Sequence, residues 1–219
     1  MLYPIKPIVA LTDWQMGEFV AIEGDYGGYQ DWLHTEQTAG KSISRFYANR
    51  ACGVTAAANV TVYLAKHDHE KAALVRQIPF KRREFTELMK QIYQYIPPGI
   101  WGIPSLRSLA RRFQKFAGSR GIELTPKYYK LSWRKQKIEE ITEFIIEGLG
   151  QNRPVLLLTW NVPEADLCDL KYHWVTVTAL SQKGGEYFIT TSNWGEQRTY
   201  HLNKWVNMKS LYRGLLYFK

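Results

Sequence analysis

No apolar run in this 219-residue sequence approaches the roughly 20 residues needed to cross a bilayer, because Lys, Arg, Asp, Glu or Pro breaks every hydrophobic stretch. A transmembrane helix is therefore not expected. Cysteine is almost absent: Cys52 and Cys168 are the only two. Secreted domains held by disulfides carry more, and two thiolates cannot build an all-cysteine zinc site, so free thiols are expected. Repeats, low-complexity tracts and Gly/Ser linkers are missing, which points to one domain over residues 1–219, in a helical half of about 45–150 and a sheet half of about 151–219. No glycine-rich phosphate-binding motif occurs, and no cofactor is implied. Met1 to Trp14 holds one Lys, Pro4, Pro7 and no small-residue cleavage site. That makes a poor signal peptide, and with Met1 native a cytoplasmic location is expected.

Acidic residues are outnumbered, 20 against 29 Lys and Arg, for a formal net charge of +9. Such an excess suits an anionic partner, and a nucleic-acid-binding protein is one reading that rests on it alone. Nothing points to a specific nucleic acid. The densest basic run, Lys81-Arg82-Arg83, leads into an amphipathic pattern and reads as a solvated helix face. A hydrophobic content of 45% suffices for a sizeable core and argues against intrinsic disorder.

Periodicity divides the chain. Before Ser44 only Glu18 to Glu23 alternates, like a short strand. Cys52 to Ala65 is small, apolar and Ala-rich, as a helix inside the protein should be. Phe85, Leu88, Met89, Ile92 and Ile96 then recur at helical spacing, as do Leu106, Leu109, Ala110, Phe113 and Phe116 after the start signal Pro104-Ser105. Pro97-Pro98-Gly99 is a tight break between them. A fourth helix is expected from about Lys135 to Gly148, presenting Ile138, Ile141 and Ile145. Strand patterns follow at Val155 to Trp160, Trp174 to Leu180, Glu186 to Thr191 and Leu211 to Phe218. Helices first and antiparallel strands afterwards make an α+β protein, not an alternating βαβ one.

Three residues in that order could carry chemistry. Cys52 opens the buried helix, where free backbone N–H groups and the helix dipole favour a thiolate and lower its pKa. A small buried hydrophobe is the plainer alternative. His173 begins a strand, and Asn193 follows the next one in Thr191-Ser192-Asn193-Trp194-Gly195. Neighbouring antiparallel strands could bring them together, and an Asn carbonyl fixes the tautomer of a histidine acting as base. Taken singly, each is equally a structural histidine and a turn asparagine. His67-Asp68-His69-Glu70 looks like a metal cluster, but alternate residues point to different sides of a helix or strand, and no metal is expected. Trp32, Trp101, Trp160 and Trp194 could line a cleft or simply fill the core.

The run Tyr47 to Val60, YANRACGVTAAANV, resembles the nucleophile helix of papain-like cysteine peptidases, closest to the bacteriocin-processing, double-glycine-leader branch, which also begins that helix with Cys-Gly. The second half is similar in order: a helix, Asn152-Arg153-Pro154-Val155, then His173-Trp174-Val175-Thr176-Val177, then Tyr187-Phe188-Ile189 before Asn193-Trp194-Gly195. The resemblance implies a papain-like fold, with a helical lobe on an antiparallel sheet. It implies Cys52 as nucleophile, His173 as base and then acid, and Asn193 as the orienting group. The family places an oxyanion Gln six residues before the Cys, where this chain has Phe46, with Asn49 the nearest amide and candidate oxyanion donor. The implied partner is a peptide or amide-containing substrate. An acyltransferase using the same triad and a non-catalytic peptide-binding relative are the alternatives.

Overall fold

Val, Thr and Leu crowd the second half of the chain and favour extended backbone. The computed structural model describes residues 6–36, 42–131 and 136–219 and turns that half into antiparallel sheet. Met1, Pro4 and Lys135 lie outside the described residues. In chain order the elements are β1 (Pro7–Ala10), β2 (Ala21–Ile22), β3 (Asp25–Tyr26), α1 (Trp32–Thr35), α2 (Arg45–Ala48), α3 (Cys52–His67), α4 (Arg82–Tyr95) and α5 (Leu106–Gly118). They continue with β4 (Pro126–Leu131), α6 (Ile138–Gly150), β5 (Val155–Thr159), β6 (His173–Lys183), β7 (Glu186–Asn193), β8 (Glu196–His201), α7 (Leu202–Asn207) and β9 (Arg213–Phe218). The class is α+β.

The main sheet runs β4-β9-β5-β6-β7-β8, every neighbouring pair antiparallel. β5 pairs with His173 to Val177 of β6, and β1 takes over further along at Ala179 to Ser181. The first residues of β6 are thus held in the middle of the sheet. No helix among the described residues is long and apolar enough to cross a membrane.

The helices expected from periodicity at 52–65, 85–96 and 106–116 are α3, α4 and α5. Ser105 caps α5, its hydroxyl accepting from the Ser108 N–H. The Glu18 to Glu23 alternation shrinks to β2, because Gly24 at φ +90° turns the chain back at once into β3. The edge strands β4 and β8 have no apolar alternation to reveal them: each buries a single residue, Leu131 and Tyr200.

Every residue of α3 from Cys52 to Leu64 is buried, as an all-round apolar helix requires. It lies between the sheet, where it meets β6, and α4 on its other side. Gly53 explains how close its tip comes to the sheet: a Cβ there would stand 3.0 Å from Ile103 and 3.4 Å from the Trp174 ring. The Cys-Gly pair therefore seats Cys52 against the start of β6.

Lys81-Arg82-Arg83 is not simply a solvated face. Arg82 pairs with Asp25 at 2.8 Å and lies over the Trp32 ring, so it ties α4 to the β2–β3 hairpin.

Candidate active site

Cys52 is the first residue of α3, after Ala51, which offers no side chain to cap the helix. The first-turn amides consequently keep their hydrogen-bonding capacity for something else. His173 is the first residue of β6 and Asn193 the last of β7; all three side chains are buried. Cys52, His173 and Asn193 line one inner cavity of about 10 Å³, room for about one water. Cys52 and His173 also face an outer groove of about 650 Å³. The sulfur is buried without being sealed off.

His173 Nε2 and Asn193 Oδ1 are 2.8 Å apart. Asn193 Nδ2 donates to the Tyr200 hydroxyl at 2.8 Å, which turns the carboxamide so that its oxygen faces the imidazole. Nε2 therefore carries the proton, leaving Nδ1 as the basic nitrogen. The Trp194 ring lies against the imidazole, centroids 5.1 Å apart, and Arg198 lies over Trp194 while pairing with Asp169.

Strained backbone frames both residues. Tyr172, just before His173, has φ +50°, and Trp194, just after Asn193, has φ +54°. Trp194-Gly195 is a two-residue hairpin turn with both residues at positive φ, a place where Asn-Gly is the usual choice. A bulky side chain in the left-handed region costs on the order of 1–3 kcal/mol, and such outliers gather at functional sites.

The expected lowering of the Cys52 pKa is not what this environment gives. Burial pushes the thiol up to about 11, against the opposing backbone hydrogen bonds from Trp174, Gly53 and Cys52 itself. Burial likewise holds His173 down to about 4, with the Asn193 hydrogen bond acting in the other direction. Desolvation outweighs the helix terminus here. At neutral pH the resting pair is thiol and neutral imidazole.

Asn49 lines the outer groove and is exposed, and its carbonyl accepts from Gln30 Nε2 at 3.0 Å. Phe46, six residues before Cys52, is half exposed and sits under the Arg50 guanidinium. The amide side chain that lines both cavities with Cys52 is Gln30, well upstream of the six-residue spacing. Of its two N–H donors one is anchored on Asn49, which leaves the second for a ligand. Gln30 is not among the site residues expected from the sequence. The available signal was the loop Gly27-Gly28-Tyr29-Gln30, in which adjacent glycines imply close backbone approach.

Trp101, Trp160, Trp174 and Trp194 line the groove, whereas Trp32 belongs to the core. Two of these indoles fix one wall: Trp174 Nε1 donates to the Ile103 carbonyl at 2.8 Å and Trp160 Nε1 to that of Pro104 at 2.9 Å. Among the described residues no carboxylate lines the groove. Among the described residues no group of three His, Cys, Asp or Glu is placed to hold a metal ion. Asp68 of the His67–Glu70 run instead pairs with Arg153 at 2.7 Å. Cys168 is exposed and free.

No protein-family profile matches the chain, and no curated protein sequence matches it.

Proposed function

We propose that the protein is a thiol hydrolase of the papain-like superfamily that cleaves a peptide or other amide bond through Cys52, His173 and Asn193. The observation that carries this reading is the polarity of the histidine: Nε2 is committed to Asn193 at 2.8 Å, so Nδ1 is the basic nitrogen in a cavity shared with Cys52. As Cys52 attacks the substrate carbonyl, its proton passes to His173 Nδ1 and an S–C bond forms. The carbonyl oxygen becomes an oxyanion beside the Cys52 backbone N–H and the free N–H of Gln30. Collapse breaks the C–N bond, and the amine leaves with the proton from His173. Water, deprotonated by the same nitrogen, then hydrolyses the thioester.

Because thiol and imidazole are both neutral at rest, proton transfer accompanies attack and no thiolate–imidazolium pair is stored beforehand. Gln30 takes the oxyanion place that Phe46 cannot fill, with Asn49 contributing its carbonyl as the anchor. The test is p-nitrophenolate release from p-nitrophenyl acetate by the wild type, Cys52→Ala, His173→Gln and Gln30→Ala. Loss of the reaction in the first two and a drop of about a hundredfold to a thousandfold in Gln30→Ala are expected. Wild-type rates in Cys52→Ala would overturn the reading.

A further inference from the structure

One buried polar side chain on the nucleophile helix has no part in the chemistry above. Asn59 lies two turns beyond Cys52 on the same face of α3 and is 2% exposed. Its Oδ1 accepts from the Gly28 N–H at 2.9 Å, and its Nδ2 donates to Ser192 Oγ at 3.3 Å. Ser192 in turn donates to the Tyr26 carbonyl at 2.7 Å. One carboxamide thus joins the helix bearing Cys52, the loop bearing Gln30 and the strand end bearing Asn193.

The loop sequence fits this junction closely. Gly27 sits at φ +85°, and a Cβ there would overlap Ser192 Oγ and stand 3.1 Å from both polar atoms of Asn59. A Cβ on Gly28 would overlap the Phe85 ring. Gly27 lets the backbone come down onto Asn59, Gly28 lets it pass the Phe85 ring, and Gln30 follows two residues later. With Asn59 replaced by an apolar side chain, the Gly28 N–H would be buried without an acceptor, and the loop would have to move to regain one.

We propose that Asn59 is a positioning residue for acyl transfer at Cys52, holding Gln30 at the oxyanion and, through Ser192, Asn193 behind His173. This rests on the acyl-transfer reading of the site. Two electrophiles separate the role from mere stability, used on the Cys168→Ser protein so that Cys52 is the only thiol. With p-nitrophenyl acetate a sulfur–acyl bond forms through an oxyanion, the ester C–O bond breaks, p-nitrophenolate leaves and the thiol proton goes to His173. With iodoacetamide a sulfur–methylene bond forms, the C–I bond breaks and iodide leaves, the thiol proton passing to solvent, with no oxyanion.

Asn59→Leu should slow acylation about tenfold to a hundredfold while alkylation stays within about threefold, and in a Gln30→Ala background should add only the about threefold to tenfold that runs through Ser192. An equal fall in both rates, or the full Asn59→Leu loss recurring in the Gln30→Ala background, would overturn the proposal. Should Asn59→Leu not fold, Ser192→Ala carries the test: acylation should fall about threefold to tenfold with alkylation unchanged, and unchanged acylation would overturn it. Failure of the underlying reading shows elsewhere, as p-nitrophenolate release that survives Cys52→Ala.

Discussion

Acidification should unfold this protein through one buried imidazole. Burial holds His173 down from 6.5 to about 4 in the folded state, whereas the unfolded chain titrates near the ordinary value. Between those limits the unfolded state binds the proton and the folded state does not, so this imidazole's share of the stability is lost as pH falls from about 6.5 to about 4; at lower pH the carboxylates held low by their cationic partners, Asp13 and Asp68 among them, continue the loss. A shift of this size amounts to about 3 kcal/mol, a large part of the stability of a typical domain. The assay is urea unfolding at a series of pH values for the wild type and His173→Gln, whose side chain keeps a donor for Asn193 and cannot titrate. The wild type should lose about 3 kcal/mol more than the variant between about pH 7 and pH 4. Identical pH dependence in the two proteins would refute the burial argument, and with it the neutral resting pair.

Removing Asn193 orphans a buried imidazole N–H, so Asn193→Ala should cost about 1–3 kcal/mol in chemical denaturation. It should also slow acylation of Cys52 about tenfold or more, because the tautomer is no longer fixed. Gly28→Ala should destabilise by about 1–3 kcal/mol in thermal melts, since its methyl would overlap the rigid Phe85 ring. Labelling should split by reagent, read by peptide mapping. The exposed Cys168 should react faster with iodoacetamide, and Cys52, whose burial pushes its thiol up to about 11, should react faster with an acylating ester that uses His173 and Gln30.

What the sequence made legible depended on burial. α4 and α5 carry apolar side chains at helical spacing because each packs one face on the core, α3 is apolar all round because it is covered on every side, and the β5 and β6 patterns are dense in Val, Leu and Thr for the same reason. β4 and β8 escaped notice because an exposed edge strand has little apolar pattern to show. Cys52, His173 and Asn193 could be picked out because each stands at the end of a regular element, and strand pairing puts the start of β6 beside the end of β7. Gln30 stands in a loop whose course is set by tertiary contacts with Asn59 and Asn49, and no local period encodes it. The sign of the Cys52 shift is not legible for a related reason: the helix terminus is visible in the sequence, and the desolvation around it is not.

Whether Cys52 forms a covalent acyl intermediate is decided most directly by mass spectrometry of protein quenched shortly after mixing with p-nitrophenyl acetate. The account predicts one acetyl group on the peptide containing Cys52, decaying on further incubation in the wild type and absent from His173→Gln. Acetylation confined to Cys168 or to lysines, or an adduct on Cys52 that forms equally well without His173, would contradict it.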